Sequence, residues 1–566
     1  MTARSDDTAR GHDTGPGGES GRTGGDLVAE ALRALGVEHV FGIASVHNLP
    51  ILDAIRRLGG ITVVNVRHEQ AAVHAADGYA RATGRLGVAL ASTGPGTANT
   101  MGGLFEAQFA GSPVLLLTGQ IETRYYGRSK GYLHEAEQQL AMLRTLTREA
   151  WTVRRAEDAG ETVVAAGRAA GTGPPRPTAV EIPIDLQYAR VPATLTVPDP
   201  VPVPRPAPPE DRVRAAADLL AGAARPLLWA GGGVLSAGAW PELRRLVDRL
   251  EIPVVTSVQG RGALPEDHPL CLGPLVTTPP LRGIVEEADV VLAVGARFQM
   301  YTTDQWRLRI GGKLIHADAD ASVFGRTYPP EIALHGDARE TLRALDARVV
   351  TSAADPGWTA AGRRAAAETR ETSLEALGPD HRALVESIRR SLPREGVVVR
   401  DSTVPAYAWG DRLLPILAAR TSLHPASAAI GPGLPLALGA AVGSGERTVV
   451  VHGDGGIMLS IGELAALVQV QAPVTVCVFN DRGYGVLRDV QSATFDGARN
   501  DVDLHTPDFV ALAEAMGVPG EKVSGAAAFD RAFARSVTGP GPYLIEIDLT
   551  ALAPMKRRAG RQRLLS

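Results

Sequence analysis

The sequence predicts an α/β protein built from three consecutive doubly wound parallel-sheet domains. From residue 26 onward, short apolar runs alternate with amphipathic stretches, which is the pattern of strand–helix–strand units in a parallel sheet. The chain has 566 residues, more than one hydrophobic core usually organises. Two segments interrupt the alternation, a proline-rich one at 192–209 and a glycine- and charge-rich one near 352–378.

These interruptions set the expected domain boundaries. The eight prolines of 192–209 exclude a helix or a central strand, and the polar, glycine-rich N-terminus lacks the apolar residues needed to order itself. The expected parts are a disordered tail (1–24), a first domain (25–190), a proline-rich linker (191–209), a middle domain (210–350), a linker or connecting helix (351–378), a third domain (379–552) and a basic tail (553–566).

Composition and charge narrow the class of partner. The chain is 45% hydrophobic and 21% charged with a net charge of −4, which gives no reason to expect nucleic acid or an anionic membrane as a partner. No apolar run approaches the roughly 20 residues that span a bilayer. Two cysteines in so long a chain exclude a disulfide framework and suit a reducing compartment, so we expect a cytoplasmic protein that binds small molecules.

A candidate metal site follows two buried strands of the third domain. Strand 447–452 ends in Gly453-Asp454-Gly455-Gly456, and strand 474–479 ends in Asn480-Asp481. Parallel strands bring their carboxyl ends to one edge of the sheet, so Asp454 and Asp481 can face a common ion. Two carboxylates with a loop carbonyl and solvent oxygens suit Mg²⁺ or Ca²⁺, and Mg²⁺ commonly completes its shell with phosphate oxygens. The glycines let backbone N–H groups approach a diphosphate. Taken alone, Gly-Asp-Gly also fits a turn whose Asp caps a helix.

The whole segment resembles the signature of thiamine-diphosphate-dependent enzymes, Gly-Asp-Gly followed after a couple of dozen residues by Asn-Asn. Here 24 residues separate Gly455 from Asn480, and Asp481 replaces the second Asn. The resemblance implies that the metal ligands are Asp454, Asp481 and the carbonyl of Gly483. It also implies that five residues of this segment bind the cofactor at or near its diphosphate: Gly453, Gly455, Gly456, Tyr484 and Gly485.

A candidate catalytic carboxylate lies at a strand-to-helix junction of the first domain. Val66-Arg67-His68-Glu69-Gln70 precedes Ala75-Ala76-Asp77-Gly78-Tyr79-Ala80-Arg81. By itself, Glu69 is a first-turn carboxylate that the helix dipole favours. Together the two runs resemble the pyrimidine-domain segment of the acetolactate synthase and benzoylformate decarboxylase group. That resemblance implies that Glu69 bonds the aminopyrimidine ring of the cofactor, favours its imino form and so activates the thiazolium.

Further segments resemble parts of this group that lie near the cofactor, and the resemblance covers roughly residues 25–550. It implies that the three domains are, in chain order, a pyrimidine-binding domain, a middle domain and a diphosphate-binding domain. Without it, the segments read as ordinary loops, a helix cap and a core isoleucine. The additional cofactor-binding candidates are Gly94, Gln120, Ser402, Thr403 and Ile430, the last as the bulky residue that props the cofactor in its bent shape.

Positions that select the substrate depart from the acetolactate synthase pattern. Val490 stands where many synthases carry a Trp, and Tyr132-Leu133-His134-Glu135 replaces a Phe-Gln-Glu arrangement. His134 and His424 are candidate catalytic residues, since a histidine exchanges protons near neutral pH, although a lone histidine is more often structural. The acyl donor is expected to be a 2-oxo acid with an unassigned side chain.

The resemblance also bears on FAD and on assembly. Several acetolactate synthases bind FAD in the middle domain, but the Arg-Phe-Asp-Asp-Arg pattern appears here as Arg297-Phe298-Gln299-Met300-Tyr301, and 273–278 also differ. FAD is therefore an option that the sequence disfavours. In the group, the Glu and the metal site meet across a subunit interface, so we expect a homodimer or homotetramer with closed symmetry.

The expected function is thus that of an acetolactate synthase-like enzyme, which decarboxylates a 2-oxo acid and transfers the resulting unit to a carbonyl acceptor. The first alternative is a simple non-oxidative decarboxylase that releases an aldehyde. A nicotinamide-dependent dehydrogenase would need Gly-x-Gly-x-x-Gly after a strand, which glycines 231–233 do not supply. A non-catalytic cofactor-binding relative is disfavoured by the intact Glu69.

Overall fold

Three parallel sheets of six strands each make up the fold. The computed structural model describes residues 21–555 except 496 and 498, and each sheet in it is flanked by helices. The sheets follow one another along the chain, so the predicted fold class is confirmed. No helix in the described part of the chain combines the length and the apolar character needed to cross a membrane. Both cysteines are free thiols.

The first sheet has the strand order β2-β1-β3-β4-β6-β5. Its strands are β1 (His39–Gly42), β2 (Thr62–Asn65), β3 (Gly87–Ala91), β4 (Val114–Gln120), β5 (Ala150–Thr152) and β6 (Thr178–Pro183). Its helices are α1 (Gly24–Ala34), α2 (Leu49–Leu58), α3 (Glu69–Thr83), α4 (Pro95–Asn99), α5 (Met101–Ala110), α6 (Gln139–Arg144), α7 (Ala159–Gly171) and α8 (Ile184–Tyr188).

The second sheet has the order β12-β11-β10-β7-β8-β9. Its strands are β7 (Pro226–Ala230), β8 (Val254–Thr256), β9 (Cys271–Gly273), β10 (Val290–Val294), β11 (Lys313–Asp318) and β12 (Ile332–His335). The helices of this part are α9 (Glu210–Ala221), α10 (Gly232–Ser236), α11 (Trp240–Leu250), α12 (Leu281–Glu287), α13 (Ala338–Arg348) and α14 (Pro356–Leu377).

The third sheet has the order β14-β13-β15-β16-β18-β17, which repeats the order of the first sheet strand for strand. Its strands are β13 (Val397–Arg400), β14 (Ser422–Leu423), β15 (Thr448–Gly453), β16 (Val474–Asn480), β17 (Gly520–Val523) and β18 (Tyr543–Asp548). Its helices are α15 (Pro379–Ser391), α16 (Gly433–Ser444), α17 (Asp454–Ile457), α18 (Glu463–Gln469), α19 (Gly485–Thr494), α20 (Phe509–Ala515) and α21 (Ala526–Thr538).

The first helix of the fold begins inside the expected disordered tail. Residues 1–20 and 556–566 of the expected tails lie outside the described residues. Residues 21–24 do not fit the expected disordered tail, because Thr23 accepts the N–H of Asp26 as a helix cap and bridges Arg190. Helices α4 and α5 of the same domain meet at Thr100, whose hydroxyl donates to the carbonyl of Thr97.

The two expected linkers take different forms. Residues 192–209 contain no helix or strand and are largely exposed, as the prolines require. The stretch 351–378 instead contains helix α14, which buries Trp358 and Leu377 in a core shared by the middle and third domains. The indole N–H of Trp358 donates to the carbonyl of Pro226 at 2.8 Å, so the start of this helix is packed against the middle domain.

Helices α3 and α16 join the first and third domains through close backbone contact. A Cβ on Gly78 would stand 2.1 Å from the carbonyl oxygen of Leu436, and one on Gly439 would stand 1.8 Å from that of Ala75. Neither distance admits a side chain, so glycine is required on both helices for this approach. One cluster of buried side chains continues from the first sheet across this contact into the third.

Gly439→Ala is expected to lower the stability of the protein. A helical Gly→Ala change ordinarily gains up to about 1 kcal/mol, but here the added Cβ meets a carbonyl oxygen, and overpacking of this kind costs about 1–3 kcal/mol. The thermal unfolding midpoint should therefore fall. The matched control is Gly171→Ala at the end of α7, where a Cβ would meet nothing within 4 Å. A midpoint for Gly439→Ala equal to that of the control would contradict the proposed close contact.

Candidate active site

The predicted metal-binding segments are side by side in the third sheet. Strands β15 and β16 are paired parallel neighbours in register Gly453↔Phe479, so the residues that follow them leave the same edge. Asp454 is 1% exposed at the start of α17, and its Oδ2 accepts the backbone N–H of Gly483 at 2.8 Å. The structure thus brings Asp454, Asp481 and Gly483 to one place, as the sequence predicts for an ion site.

The electrostatics of this place favour a cation. Burial raises the pKa of Asp454 to about 6, and the neighbouring charge of Asp481 adds to the shift. A divalent ion between the two carboxylates would remove both costs. Within the described chain, no group of three or more His, Cys, Asp or Glu side chains converges on a metal position. An ion here would need the loop carbonyl and cofactor oxygens to complete its shell.

Arg488 compensates part of the charge that Asp481 adds. Its Nη1 is 3.5 Å from the Asp481 carboxylate, while its Nη2 is 2.7 Å from Asp503. The preceding residue, Asn480, is directed elsewhere, because its amide donates to Glu546 at 3.0 Å and its Oδ1 accepts the N–H of Arg482. Asp481 is therefore the residue of the Asn-Asp pair that is placed beside Asp454.

The glycines around these carboxylates stand where a side chain would collide with its neighbours. A Cβ on Gly455 would stand 2.7 Å from the ring of Tyr484, and one on Gly485 would stand 1.9 Å from Asp481 Oδ2. A Cβ on Gly456 would stand 3.0 Å from Asp401 Oδ1. Glycine therefore lets the backbone pass close to these side chains, and backbone N–H groups at a glycine-rich helix start are suited to binding a diphosphate.

Two buried residues of this edge were not among the sequence candidates. The carboxylate of Asp401 accepts N–H groups from Ser402, Gly431 and Gly433 at 2.7–3.0 Å, which fixes the loop before α16. His452 is fully buried with Nε2 3.5 Å from Asp401, and neither of its ring nitrogens has a hydrogen-bond partner among the described residues. Each residue directly precedes a predicted cofactor-binding residue, Asp401 before Ser402 and His452 before Gly453. Their contacts, however, are with residues distant in sequence.

The other predicted residues of the third domain surround the same edge. The hydroxyl of Ser402 donates to the carbonyls of Ala428 and Ala429 at 3.0 and 2.9 Å, and the Thr403 hydroxyl lies against Gly453. Ile430 is 39% exposed, unusual for a bulky aliphatic residue. The Ser402 side chain thus supports the loop that carries Ile430.

Glu69 begins helix α3 in the first domain. His68 caps this helix by accepting the N–H of Gln70 at 3.1 Å, and Asn99 donates to Glu69 Oε2 at 3.0 Å. The other oxygen, Oε1, is 3.0 Å from the position that a Cβ on Gly96 would take. The absence of a side chain at Gly96 keeps the carboxylate accessible from the loop that follows β3.

Gly94 and Gln120 are held by hydrogen bonds inside the first domain. The N–H of Gly94 donates to Gln139 Oε1 at 2.8 Å, and the positive φ of Gly94 brings its Cα against the carbonyl of His134. Gln120 is 1% exposed, and its amide donates to the buried Glu181 at 3.1 Å. The Gln120 side chain therefore supports the sheet edge from within.

The two predicted histidines occupy different surroundings. His134 has a left-handed φ of +62° in the loop after β4, and its ring lies 5.3 Å from that of His47. His424 follows β14, and its Nδ1 accepts a hydrogen bond from Arg400 at 3.0 Å. Burial lowers the pKa of His424 well below its usual value, and the Arg400 charge contributes. Their catalytic roles stay predictions.

Glu463 ties the Glu69 segment to the third domain of the same chain. It is 1% exposed on α18, and its Oε1 accepts the backbone N–H of Arg67 at 2.9 Å. Arg67 also donates to Gln469 at 3.0 Å. Glu463 was not a sequence candidate, and it holds the turn two residues before Glu69.

The middle domain contributes a cavity of about 660 Å³ at the carboxyl edge of its sheet, bordered also by residues of the first and third domains. Its lining includes Gly232, Gln259, Arg297, Phe298, Asp318 and Arg420. The Arg297 guanidinium donates to the carbonyl of Phe109 and stacks over its ring. The segment in which the sequence departs from the FAD-associated pattern therefore borders this cavity.

Comparison with known proteins agrees with the site. Three models of the thiamine pyrophosphate enzyme family match in chain order: the N-terminal TPP binding domain over residues 22–142, the central domain over 213–345 and the C-terminal TPP binding domain over 406–547. The chain belongs to the thiamine pyrophosphate enzyme family. The predicted dependence on thiamine diphosphate is thereby confirmed.

Full-length relatives define the branch more closely. The chain is 36% identical over 503 residues, 88% of each chain, to the probable 2-ketoarginine decarboxylase of Pseudomonas aeruginosa. It is 31% identical to a probable acetolactate synthase large subunit of Methanocaldococcus jannaschii, covering 95% of this chain and 94% of that one. It is 32% identical to the acetolactate synthase isozyme 3 large subunit of Escherichia coli, over 89% and 90% of the two chains. The protein is an acetolactate synthase-like enzyme.

Replacing Glu463 is expected to flatten the pH dependence of stability. Burial raises the pKa of Glu463 to about 7, although the N–H groups of Arg67 and His68 and the Arg67 charge oppose it. A carboxyl with a raised folded-state pKa contributes stability that is fully present below its unfolded pKa and lost as the pH rises through 7. Glu463→Gln cannot ionise, so its thermal midpoint should decline less than that of the wild type between about pH 5 and pH 8.

The control for this measurement is Glu395→Gln, which removes a carboxylate from an exposed position. Its pH dependence should follow the wild type. An identical decline in the wild type and Glu463→Gln would show that the Glu463 carboxyl does not carry the burial cost described.

Proposed function

We propose that this enzyme uses thiamine diphosphate and Mg²⁺ to decarboxylate a 2-oxo acid and to transfer the resulting unit to a carbonyl acceptor. The observation that carries the proposal is the presence, in one member of this family, of both Glu69 at a helix start and the adjoining carboxylates Asp454 and Asp481. Glu69 supplies a group that exchanges protons, and the two aspartates supply a site for the ion that binds the diphosphate. Both requirements of the cofactor are thus provided by this chain.

The residues have separate tasks in this proposal. Asp454, Asp481 and the carbonyl of Gly483 would hold Mg²⁺, and the backbone at glycines 453, 455, 456 and 485 would contact the diphosphate. Glu69 donates a hydrogen bond to the pyrimidine ring and exchanges a proton at its carboxyl, oriented by the amide of Asn99. When bound, thiamine diphosphate supplies the electron sink for decarboxylation. Ile430, Tyr484 and the hydroxyls of Ser402 and Thr403 line the cofactor.

A second candidate is simple decarboxylation with release of an aldehyde. The observation that favours it is the 36% identity to a protein described as a probable 2-ketoarginine decarboxylase, beside about 31% to the acetolactate synthases. Val490, in place of the Trp of many synthases, also removes an acceptor-selecting residue. The two candidates share every step up to the loss of CO₂ and differ in the fate of the remaining unit.

FAD is not part of the proposed chemistry, because the residues 297–301 that border the middle-domain cavity lack the associated pattern. We also place the enzyme in the cytoplasm, on the basis of its two unpaired cysteines. Its small-molecule partner is the 2-oxo acid, and neither nucleic acid nor a membrane is proposed as a partner.

The active site is proposed to be shared between two copies of the chain. Exposed aliphatic side chains stand beside each half-site: Val46 and Leu133 next to the Glu69 region, and Leu459 and Leu487 next to the Asp454 region. Exposed hydrophobic side chains that form a patch mark surfaces that another protein surface covers. A homodimer that joins the Glu69 half of one copy to the Asp454 half of another would cover both, and a homotetramer would pair two such dimers.

Decarboxylation can be tested directly with pyruvate, 2-oxobutanoate, benzoylformate and 2-ketoarginine. With thiamine diphosphate and Mg²⁺ present, CO₂ release is expected from at least one acid. Glu69→Gln should reduce this rate by about 10²–10⁴-fold, the usual contribution of a proton-transfer group, while cofactor binding measured by calorimetry is retained. Acyloin products support carboligation, whereas aldehyde as sole product supports the second candidate.

Glu161→Gln is the matched control, since Glu161 is also a first-turn carboxylate of a helix in the first domain but is exposed on α7. Its activity should equal that of the wild type. No CO₂ from any of the four acids would reject the proposed function, and full activity in Glu69→Gln would reject the role of Glu69.

Subunit sharing predicts complementation between two inactive variants. Glu69→Gln and Asp454→Asn each disable a different half of every site. When the two are unfolded together and reassembled in equal amounts, half of the dimers are mixed, and each of these has one intact site in two. Activity should therefore return to about a quarter of the wild-type level. No recovery in a reassembled mixture that contains mixed dimers would place both residues in a site within one chain.

A further inference from the structure

Two imidazole rings lie together at the carboxyl edge of the first sheet. His47 follows β1, and His134 lies in the loop after β4, with ring centroids 5.3 Å apart and ring planes inclined by 38°. The proposed function uses neither ring of this pair in cofactor or metal binding. Both rings lie on the same edge of the sheet as Glu69.

The backbone holds His47 firmly in place. Its carbonyl accepts the amide of Gln187 at 2.7 Å, and its N–H donates to the hydroxyl of Ser45 at 3.3 Å. Gly119, near the end of β4, admits this approach, since a Cβ there would stand 2.5 Å from the His47 carbonyl oxygen. The His47 ring is therefore fixed over the end of the neighbouring strands.

A continuous series of contacts leads from His47 to Glu69. The hydroxyl of Ser45 is 2.6 Å from that of Ser92. Ser92 Cβ and Glu69 Oε1 both lie close to the position that a Cβ on Gly96 would occupy, at 2.8 and 3.0 Å. The loops after β1, β2 and β3 thus form one rim that carries both His47 and Glu69.

A second series of contacts completes this rim through His134. The carbonyl oxygen of His134 stands 2.3 Å from the position of a Cβ on Gly94, so only glycine fits there. Gly94 belongs to the turn that leads to Gly96 and Glu69. Both imidazoles are therefore built into the border of the Glu69 site.

His47 has unused hydrogen-bonding capacity. It is 2% exposed, and its Nδ1 is buried without a hydrogen-bond partner within the part of the chain that the structure describes. Burial lowers the pKa of His47 below its ordinary value, and His134 adds to the effect, so the ring is kept neutral. A neutral imidazole has one N–H donor, which suits a carboxylate or carbonyl oxygen.

We propose that His47, supported by His134, binds the carboxylate of the 2-oxo acid at the Glu69 site by donating an imidazole N–H to it. The proposal rests on the proposed function for the class of substrate. It assigns His47 to substrate binding, so that the carboxylate to be lost is held beside the cofactor. No covalent step is assigned to either histidine.

His39 provides a matched control from the same strand. It begins β1 at the opposite edge of the sheet, and its Nδ1 is likewise buried without a partner among the described residues. Its ring packs against Tyr79 at 5.5 Å instead of facing the rim. Substitution of His39 therefore changes a half-buried imidazole without touching the proposed substrate position.

The test measures substrate binding in Glu69→Gln protein, which is loaded with thiamine diphosphate and Mg²⁺ and turns over too slowly to consume its ligand. Binding of the same four 2-oxo acids is followed by calorimetry. Adding His47→Leu should raise the dissociation constant about ten- to a hundredfold, the usual loss of affinity when a hydrogen bond to a charged group is removed. His47→Phe keeps a flat ring without N–H and serves if His47→Leu fails to fold. His47→Gln, which retains an N–H donor, should recover part of the binding.

The outcomes separate this proposal from the proposed function. Weaker binding in His47→Leu or His47→Phe with unchanged binding in His39→Leu supports it, even if wild-type protein releases no CO₂. Equal binding in the His47 variants and their Glu69→Gln parent overturns it, even if CO₂ is released. Loss of binding in both the His47 and His39 variants assigns the effect to general damage of the first domain and also overturns it. Failure of the parent to bind any of the four acids rejects the substrate class, and both proposals with it.

Discussion

The approach of helix α3 to helix α16 is the constraint on which the remaining architecture depends. Carbonyl oxygens of each helix occupy the space where a side chain of the other would begin, at Gly78 and Gly439. Helix α3 starts at Glu69, and helix α16 starts from the loop that Asp401 holds. The position of Glu69 relative to the third domain of the same chain is thus set by backbone contact, which varies less than contacts between flexible side chains.

The electrostatic arrangement adds a second requirement. Burial and the neighbouring charge of Asp481 both disfavour the ionised form of Asp454 and raise its pKa. Arg488 relieves this cost at Asp481 alone, at 3.5 Å. The enzyme therefore carries a site whose carboxylates are most stable with a cation between them, and the Asp at position 481 is accommodated by a nearby arginine.

Much of this could be predicted from the sequence, since strands and motifs are local features. Strands β15 and β16 lie within one residue of the strands predicted at 447–452 and 474–479, and Asp454 and Asp481 are adjacent because parallel pairing makes them so. Residues that act through distant contacts could not be found in this way. Asp401 binds amides 30 and 32 residues further on, and His47 meets His134 only after the sheet forms.

The sequence also could not show which polar side chains are already hydrogen-bonded to other groups of the protein. Gln120 and Ser402 stand at predicted places, but their polar groups bond Glu181 and the loop carbonyls at 428 and 429, respectively. His424 accepts a hydrogen bond from Arg400. A polar residue type in a motif indicates a location, whereas the partner of its polar atoms depends on the packing of the whole domain.

The first and third sheets share one strand order, but their corresponding strand ends carry different types of residue. The turn after the third strand in sequence order carries Gly94 in one sheet and Asp454 in the other. The fourth strand ends at Gln120 in one sheet and is followed by Asp481 in the other. Uncharged residues thus stand in one copy where carboxylates stand in its counterpart. In the proposed function, a single architecture, used twice, divides the recognition of one coenzyme into a proton-exchanging end and an ion-holding end.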